Sequence, residues 1–229
     1  MTTYNDLVEL TKNTDCELVK NGKGMHMKYH PNPASIAQPE FHFLTKFVKD
    51  NNLKKGYEVA TAFGISMLAA ALGFKETGGK LVTMDAYIEE QFNSCCGYDE
   101  THKQTYKDSD GFKTASFLIE KFDLKNVVTT TVGFSPIDTA KVIQSVFGSD
   151  KLDYAFIDAL HTEEAVIQDI EATIPFLADK FVLFLHDVHC FTSGKVEAYL
   201  KEKFGESWTV VTGCEHPGEG YNLSLINKL

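Results

Sequence analysis

Two short stretches carry most of the chemistry that the residue types allow: Asp158-Ala159-Leu160-His161 and His186-Asp187-Val188-His189. Each follows an apolar run, Leu152 to Ile157 in the first case and Phe181 to Leu185 in the second, suited to a buried strand. If those strands are neighbours, their ends lie roughly 5 Å apart. Asp158, His186 and Asp187 could then share one cation, with positions left open for water and substrate. An imidazole in that set suits Zn, Fe, Ni or Mn better than Mg²⁺. His161 is a candidate general base near neutral pH, with Asp158 beside it as the second catalytic candidate. Read purely as structure, His161 would sit at a helix start beside the cap Thr162, with Glu163 and Glu164 favouring the helix dipole. His189 is a reserve candidate, better suited to an outer supporting role.

These residues need a scaffold that delivers strand ends to one edge. The stretch Gly56-Tyr57-Glu58-Val59-Ala60-Thr61-Ala62-Phe63-Gly64-Ile65-Ser66 reads as a short strand, a turn of small residues and the start of an apolar helix. In an open α/β sheet a nucleotide-like ligand sits at such a turn, against the helix N-terminus. The next strand, Lys80 to Met84, ends in Asp85, about 20 residues past the turn, where a carboxylate can accept from a ribose diol.

Around this unit the pattern alternates. A helix starts near Pro39, with Phe41, Leu44, Phe47 and Val48 on its apolar face, and a second helix runs Phe112 to Phe122 with Phe117, Leu118 and Phe122 inward. The strand Asn126 to Thr131 leads through Val132-Gly133-Phe134-Ser135-Pro136 into a helix ending near Phe147, with Pro136 at its start. Val166, Ile170, Ile174 and Leu177 form one helical stripe. A helix from Gly194 to Phe204 and two last strands, Trp208 to Thr212 and Tyr221 to Ile226, complete the chain, with Gly220 as a turn. The expected fold is α/β, a doubly wound, mostly parallel sheet. Residues 1–37 read as an N-terminal arm or lid that begins with a short amphipathic helix. Residues 38–229 read as a single domain, with a polar insertion at about 87–110 that faces substrate.

Composition narrows the partners. The 229 residues carry 43% apolar and 24% charged side chains, which are globular values. Net charge is −10 and every basic residue is Lys, which argues against a nucleic-acid partner that Arg would contact. No apolar run reaches membrane-spanning length, the N-terminus is not a signal peptide, and a cytoplasmic protein is the default. The five cysteines, with Cys95-Cys96 adjacent and no C-x-x-C spacing, fit a reducing compartment.

The pairing of Glu58-Val59-Ala60-Thr61-Ala62-Phe63-Gly64-Ile65-Ser66 with Val82-Thr83-Met84-Asp85 resembles class I S-adenosylmethionine (SAM)-dependent methyltransferases, whose first motif reads approximately E-x-G-x-x-x-G-x-S. The likeness is strongest to the metal-assisted branch that methylates hydroxyls of small molecules and sugars, and covers roughly Gln38 to the C-terminus. Ala60 and Ala62 stand where glycine is usual, and alanine resists positive φ. The resemblance implies a seven-stranded sheet with its last strand antiparallel. It implies SAM held by Glu58, Ala60, Thr61, Phe63, Gly64, Ser66, Asp85, Ala86 and Asp158, with Gly133, Phe134 and Ser135 covering the adenine. It also implies Mg²⁺ or another divalent ion at Asp158, His186 and Asp187, and a catalytic role for His161, where some relatives place a lysine. Dimers are common in that branch, and the N-terminal part often forms a lid or dimer contact.

Asp158-Ala159-Leu160-His161 is unlike the Asp/Asn-Pro-Pro-Tyr of amino-group methyltransferases, and no Pro-Cys dipeptide offers a cytosine-C5 nucleophile. Three readings stand. One is a SAM-dependent O-methyltransferase for a small-molecule acceptor, one a dinucleotide oxidoreductase of the NAD type, and one a non-catalytic module with the SAM fold. The absence of G-x-G-x-x-G weighs against the second.

Overall fold

The computed structural model describes Ile36 and residues 38–87, 110–212 and 223–229. The amphipathic N-terminal helix, the body of the 87–110 insertion, the Cys95-Cys96 pair and the Gly220 turn lie outside the described residues. In chain order the elements are α1 (Gln38–Asp50), β1 (Lys55–Val59), α2 (Ile65–Thr77), β2 (Lys80–Asp85), α3 (Asp110–Lys121) and β3 (Val128–Val132). They continue with α4 (Thr139–Phe147), β4 (Leu152–Ile157), α5 (Glu163–Thr173), β5 (Leu177–Leu185), α6 (Lys195–Phe204), β6 (Thr209–Thr212) and β7 (Leu223–Asn227).

The strands form one seven-stranded sheet in the order β3-β2-β1-β4-β5-β7-β6. β1 to β5 run parallel, and β7 is antiparallel to both of its neighbours, β5 and β6. The doubly wound expectation therefore holds, including the antiparallel last strand. Two cores flank the sheet. Leu81, Tyr154, Phe156, Val182 and Phe184 point to the side covered by α1, α2 and α3. Tyr57, Val82, Ala155, Leu183 and Leu185 point to the side covered by α4, α5 and α6.

The helices follow their patterns. In α1, Phe41, Leu44 and Val48 are buried, and in α2 nearly every residue from Ile65 to Phe74 is, as expected for a helix apolar all round. In α3 Thr114, Ala115 and Leu118 are fully buried, while Phe117 and Phe122 are only half-buried and pack on the core from its rim. Several boundaries differ from the sequence reading: α3 starts at Asp110 rather than Phe112, β3 at Val128 rather than Asn126 and β5 at Leu177 rather than Phe181. Pro136 precedes α4 rather than starting it, because Asp138 occupies the position before the first helical residue, Thr139. The apolar stripe of α5 stops at Ile170: Pro175 has no N–H to continue the helix, the chain tightens into a short turn at Ile174–Phe176, and Leu177 begins β5 opposite Leu152.

Gly73 lies where α2 crosses α1. A Cβ there would come within 2.7 Å of both the Thr45 carbonyl oxygen and Val48 Cβ. Helix propensity alone would favour Gly73→Ala by about 1 kcal/mol. Overpacking a tight contact costs about 1–3 kcal/mol, and here one of the atoms met is backbone. Gly73→Ala should therefore lower stability, by about 1 kcal/mol or more, in urea unfolding monitored by circular dichroism.

Candidate active site

Register brings the candidate residues to one level. Val59 lies opposite both Met84 and Ile157, and Ile157 lies opposite Leu185. The residues just beyond, Ala60, Asp85, Asp158 and His186, therefore leave the sheet side by side. Alternation then decides the face. Phe156 and Phe184 point towards α1 and α2, so Asp158 and His186 do as well, and Glu58 joins them from β1.

On the β1–β2 side, backbone donors gather around carboxylates. Asp85 Oδ2 accepts from Ala62 N at 2.7 Å and Oδ1 from Tyr87 N at 2.5 Å. Burial pushes the Asp85 carboxyl up, against those two hydrogen bonds. Thr61 and Thr83 hydroxyls meet at 2.5 Å beneath the turn. Glu58 Oε1 accepts from Ser66 Oγ at 2.6 Å, while its Oε2 is buried without a partner. Burial pushes Glu58 up to about 8. Both alanines of the turn adopt the left-handed region, φ 73° at Ala60 and 46° at Ala62, and Gly64 follows at 85° as the residue before α2. The turn thus takes a glycine-like path despite its alanines. It is tightly backed by α3, since a Cβ on Gly111 would lie 2.9 Å from the Ala62 carbonyl oxygen. The Gly133–Ser135 turn joins this side through Gly133 N, which donates to the Asp85 carbonyl at 3.0 Å. Phe63 and Ala86 stand half-exposed at the same edge.

On the β4–β5 side the interactions are ionic. His161 Nε2 stands 3.4 Å from Asp158 Oδ1 and 3.2 Å from Asp187 Oδ2, and Thr162 caps α5 immediately after it. His186, with its side chain 1% exposed, lies beneath them. Its Nδ1 is 3.3 Å from Asp158 Oδ1 and 3.4 Å from Asp187 Oδ1, within ion-pair range but off the line of a hydrogen bond. Its Nε2 faces Glu40 Oε2 at 3.4 Å. Burial lowers the His186 pKa, but Asp158 and the other carboxylates outweigh it and hold the ring well above the ordinary histidine value. Burial likewise raises Asp158, yet His186 and His161 prevail and bring it down to about 2. His161 is raised by its contact with Asp158, against partial burial, with Asp187 adding to the rise. Asp187 takes φ 52°, a left-handed turn that aspartate tolerates, and directs the chain away from the sheet.

One ligand atom each from Asp158, His161 and Asp187 lies within 4.8 Å of the others. The expected set of Asp158, His186 and Asp187 is also close-packed, but both ring nitrogens of His186 already face carboxylates. His189 is at the rim, its Nδ1 3.8 Å from Asp187 Oδ1.

Sequence reasoning missed Glu40. It sits four residues before Leu44 and eight before Val48, on the buried stripe of α1, and is itself 1% exposed. A carboxylate aligned with an apolar stripe was the available signal. Glu40 Oε1 also accepts from Thr212 Oγ1 at 3.1 Å, tying α1 to β6.

Sheet order and acidic strand ends define the architecture of a class I methyltransferase. The chain belongs to a family described as "Methyltransferase domain", whose model matches residues 57–188. Solved structures of similar fold include the O-methyltransferase from Bacillus cereus in complex with SAH, with TM-score 0.60 and 16% identity over 97% of this chain and 94% of that one. Another is the O-methyltransferase TomG from Streptomyces achromogenes, involved in tomaymycin synthesis and in complex with SAM, with TM-score 0.63 and 14% identity over 98% and 97% of the two chains. A third is the SAH-bound methyltransferase PaMTH1 from Podospora anserina, with TM-score 0.56 and 12% identity over 98% and 94%. A sequence comparison with curated proteins finds no match. No helix among the described residues is long and apolar enough to cross a membrane.

Two expectations follow. Left-handed alanine costs about 1–2 kcal/mol, while glycine loosens the unfolded chain by about 0.4–1 kcal/mol. Ala60→Gly should therefore stabilise the protein by about 0.5–1 kcal/mol in denaturant unfolding. Glu58 has an ordinary value of 4.5 and a folded value of about 8, so folding favours its protonated form. That contribution is complete below pH 4.5, fades as pH rises and is gone above about 8. Glu58→Gln cannot titrate, so its stability relative to wild type should rise across that window. Urea midpoints of both proteins at about pH 5 and about pH 9 test this, and a constant difference would mean that Glu58 stays ionised in the fold.

Proposed function

We propose that the protein is a SAM-dependent O-methyltransferase acting on a hydroxyl of a small molecule, phenol-like or sugar-like. The observation that carries this reading is the alignment, on one sheet edge, of the Ala60–Gly64 turn and Asp85 with the Asp158–His161–Asp187 cluster. The similar B. cereus and S. achromogenes proteins are O-methyltransferases holding SAH and SAM, which supports an oxygen acceptor and this cofactor. The methyltransferase family match weighs against the dinucleotide oxidoreductase reading.

The residues fit the cofactor. Asp85 ends β2 where a ribose diol would be bound, Gly64 leads into the N-terminus of α2, and the unpartnered Glu58 Oε2 is a polar atom with capacity for a further hydrogen bond. Bound SAM supplies a methyl group on a sulfonium, already a good leaving group. The protein must then orient the acceptor oxygen and take its proton. His161 suits the second task. With Nε2–H directed at Asp158 and Asp187, its Nδ1 lone pair is left to accept the hydroxyl proton, and the two carboxylates stabilise the imidazolium that forms. His186 balances Asp158 from below, keeping that carboxylate ionised.

A second reading of the same cluster is a divalent site. Asp158, His161 and Asp187 would hold the ion, and this mixed oxygen and nitrogen set suits Mn, Fe or Zn better than Mg²⁺. Such an ion would lower the pKa of a bound hydroxyl. His186 would remain behind it as a counter-charge.

Calorimetric titration with SAH and a methyl-transfer screen over small phenols and sugars, on metal-stripped protein with and without added Mn²⁺, Zn²⁺ or Mg²⁺, test the proposal. Asp85→Ala should weaken SAH by about tenfold or more, an effect of the size of a lost charged hydrogen bond. His161→Ala should leave SAH affinity nearly unchanged and lower kcat by about 10²–10⁴. Failure of the wild-type protein to bind SAH would overturn the reading.

A further inference from the structure

A second buried polar network lies beneath the turn that follows β3. Ser135 Oγ donates to Asp169 Oδ1 of α5 and stands 3.3 Å from Thr139 Oγ1, which in turn meets the Tyr57 hydroxyl at 3.0 Å. Asp169 is 3% exposed, and Thr139 and Tyr57 are fully buried. The rest of the turn is held from other sides. Phe134 N donates to Asp138 Oδ2 at 2.9 Å, and Gly133 N donates to the Asp85 carbonyl at 3.0 Å. A Cβ on Gly133 would come within 2.7 Å of Met84 Sδ, so the chain lies directly on the end of β2.

The turn is therefore suspended between two acidic residues on different elements. Asp85 anchors its first residue through the backbone, and Asp169 anchors its third through a side chain. Burying a carboxylate for one serine is costly, and an apolar residue of similar volume would pack there at lower cost. Burial pushes Asp169 up to about 6, against the Ser135 hydrogen bond, so the group is under real desolvation strain. That cost has a return if the exact path of the turn matters. We propose that Asp169 is a positioning residue for the cofactor: by holding Ser135 it fixes the Gly133–Ser135 turn beside Asp85 and thereby sets the affinity for the adenosyl part of SAM. The inference rests on the SAM reading above. It also makes α5 a strut shared by both halves of the site, since its first turn follows His161 and its second holds the cofactor turn.

The test is calorimetric titration with SAH of wild type, Asp169→Asn, Asp169→Ala, Ser135→Ala and the Asp169→Ala/Ser135→Ala double variant, together with KM for SAM and kcat. Asp169→Ala and Ser135→Ala should each weaken SAH by about tenfold, as for loss of a hydrogen bond to a charged group. Asp169→Asn keeps an acceptor oxygen and should stay within about threefold of wild type. The double variant should bind no more weakly than either single one, because both remove the same contact. The KM for SAM should follow Kd, with kcat at saturating SAM within about twofold. Unchanged SAH affinity in Asp169→Ala would overturn the inference, as would a loss confined to kcat or an Asn variant as weak as Ala. If Asp169→Ala fails to fold, Ser135→Ala and Asp169→Asn decide alone. A wild-type protein that binds no SAH removes both this inference and the SAM reading, whereas wild-type binding with indifferent variants removes only the former.

Discussion

Several acidic side chains converge on one sheet edge, and in a poorly solvated setting they cannot all carry charge without compensation. His186 supplies that compensation. Enclosed by Glu40, Asp158 and Asp187 and almost wholly removed from water, its ring is held in the charged form by its neighbours. Asp158, nearest to it, is held ionised. Glu58 and Asp85, one and two strands further away, are pushed up instead. With His161 adding to it from above, His186 marks off an ionic half of the edge on β4 and β5 from a half on β1 and β2 organised by hydrogen bonds.

The halves are assembled by different means. Around Asp85 the partners are backbone amides of Ala62 and Tyr87, whose directions are set by chain path, so that half depends on left-handed residues in the turn. Around Asp158 the partners are side chains from the β4 end and the β5 end, and Glu40 of α1 backs His186 in turn, so that half depends on helix packing. α1 is accordingly part of the site's support although its sequence reads as an ordinary amphipathic helix.

The strand ends were legible in the sequence because each apolar run terminates abruptly in a charged residue. Ile157-Asp158 and Leu185-His186 announce both the strand and the edge where it stops, while the pairing of β4 with β5, left conditional by the sequence, is given by the structure. The turn chemistry was legible only in part. Alanine in the first motif suggests a departure in shape, but the chain around it, pinned by Asp85 and pressed by α3, forces positive φ on both alanines. The pairings of Glu40 and Asp169 were not legible, although the place of Glu40 on an apolar stripe was, since each is an acid in a helix whose partner lies far away in sequence, His186 and Ser135 respectively. Pairings of that kind depend on which helix covers which face, and periodicity within one element does not encode it.

The antiparallel insertion of β7 has a consequence for the edge of β5. β5, which delivers His186 and Asp187, is flanked by β4 on one side and by β7 on the other, and Lys228 N closes onto the Phe181 carbonyl at 2.9 Å. β7 comes after β6 in the chain, yet it separates β5 from β6. Without β7 paired to it, β5 would present an open edge of five consecutive buried residues, Phe181 to Leu185, just before His186 and Asp187. Such an edge is a template for pairing with another chain. By filling the gap beside β5, β7 closes the edge next to the strand end that carries His186 and Asp187.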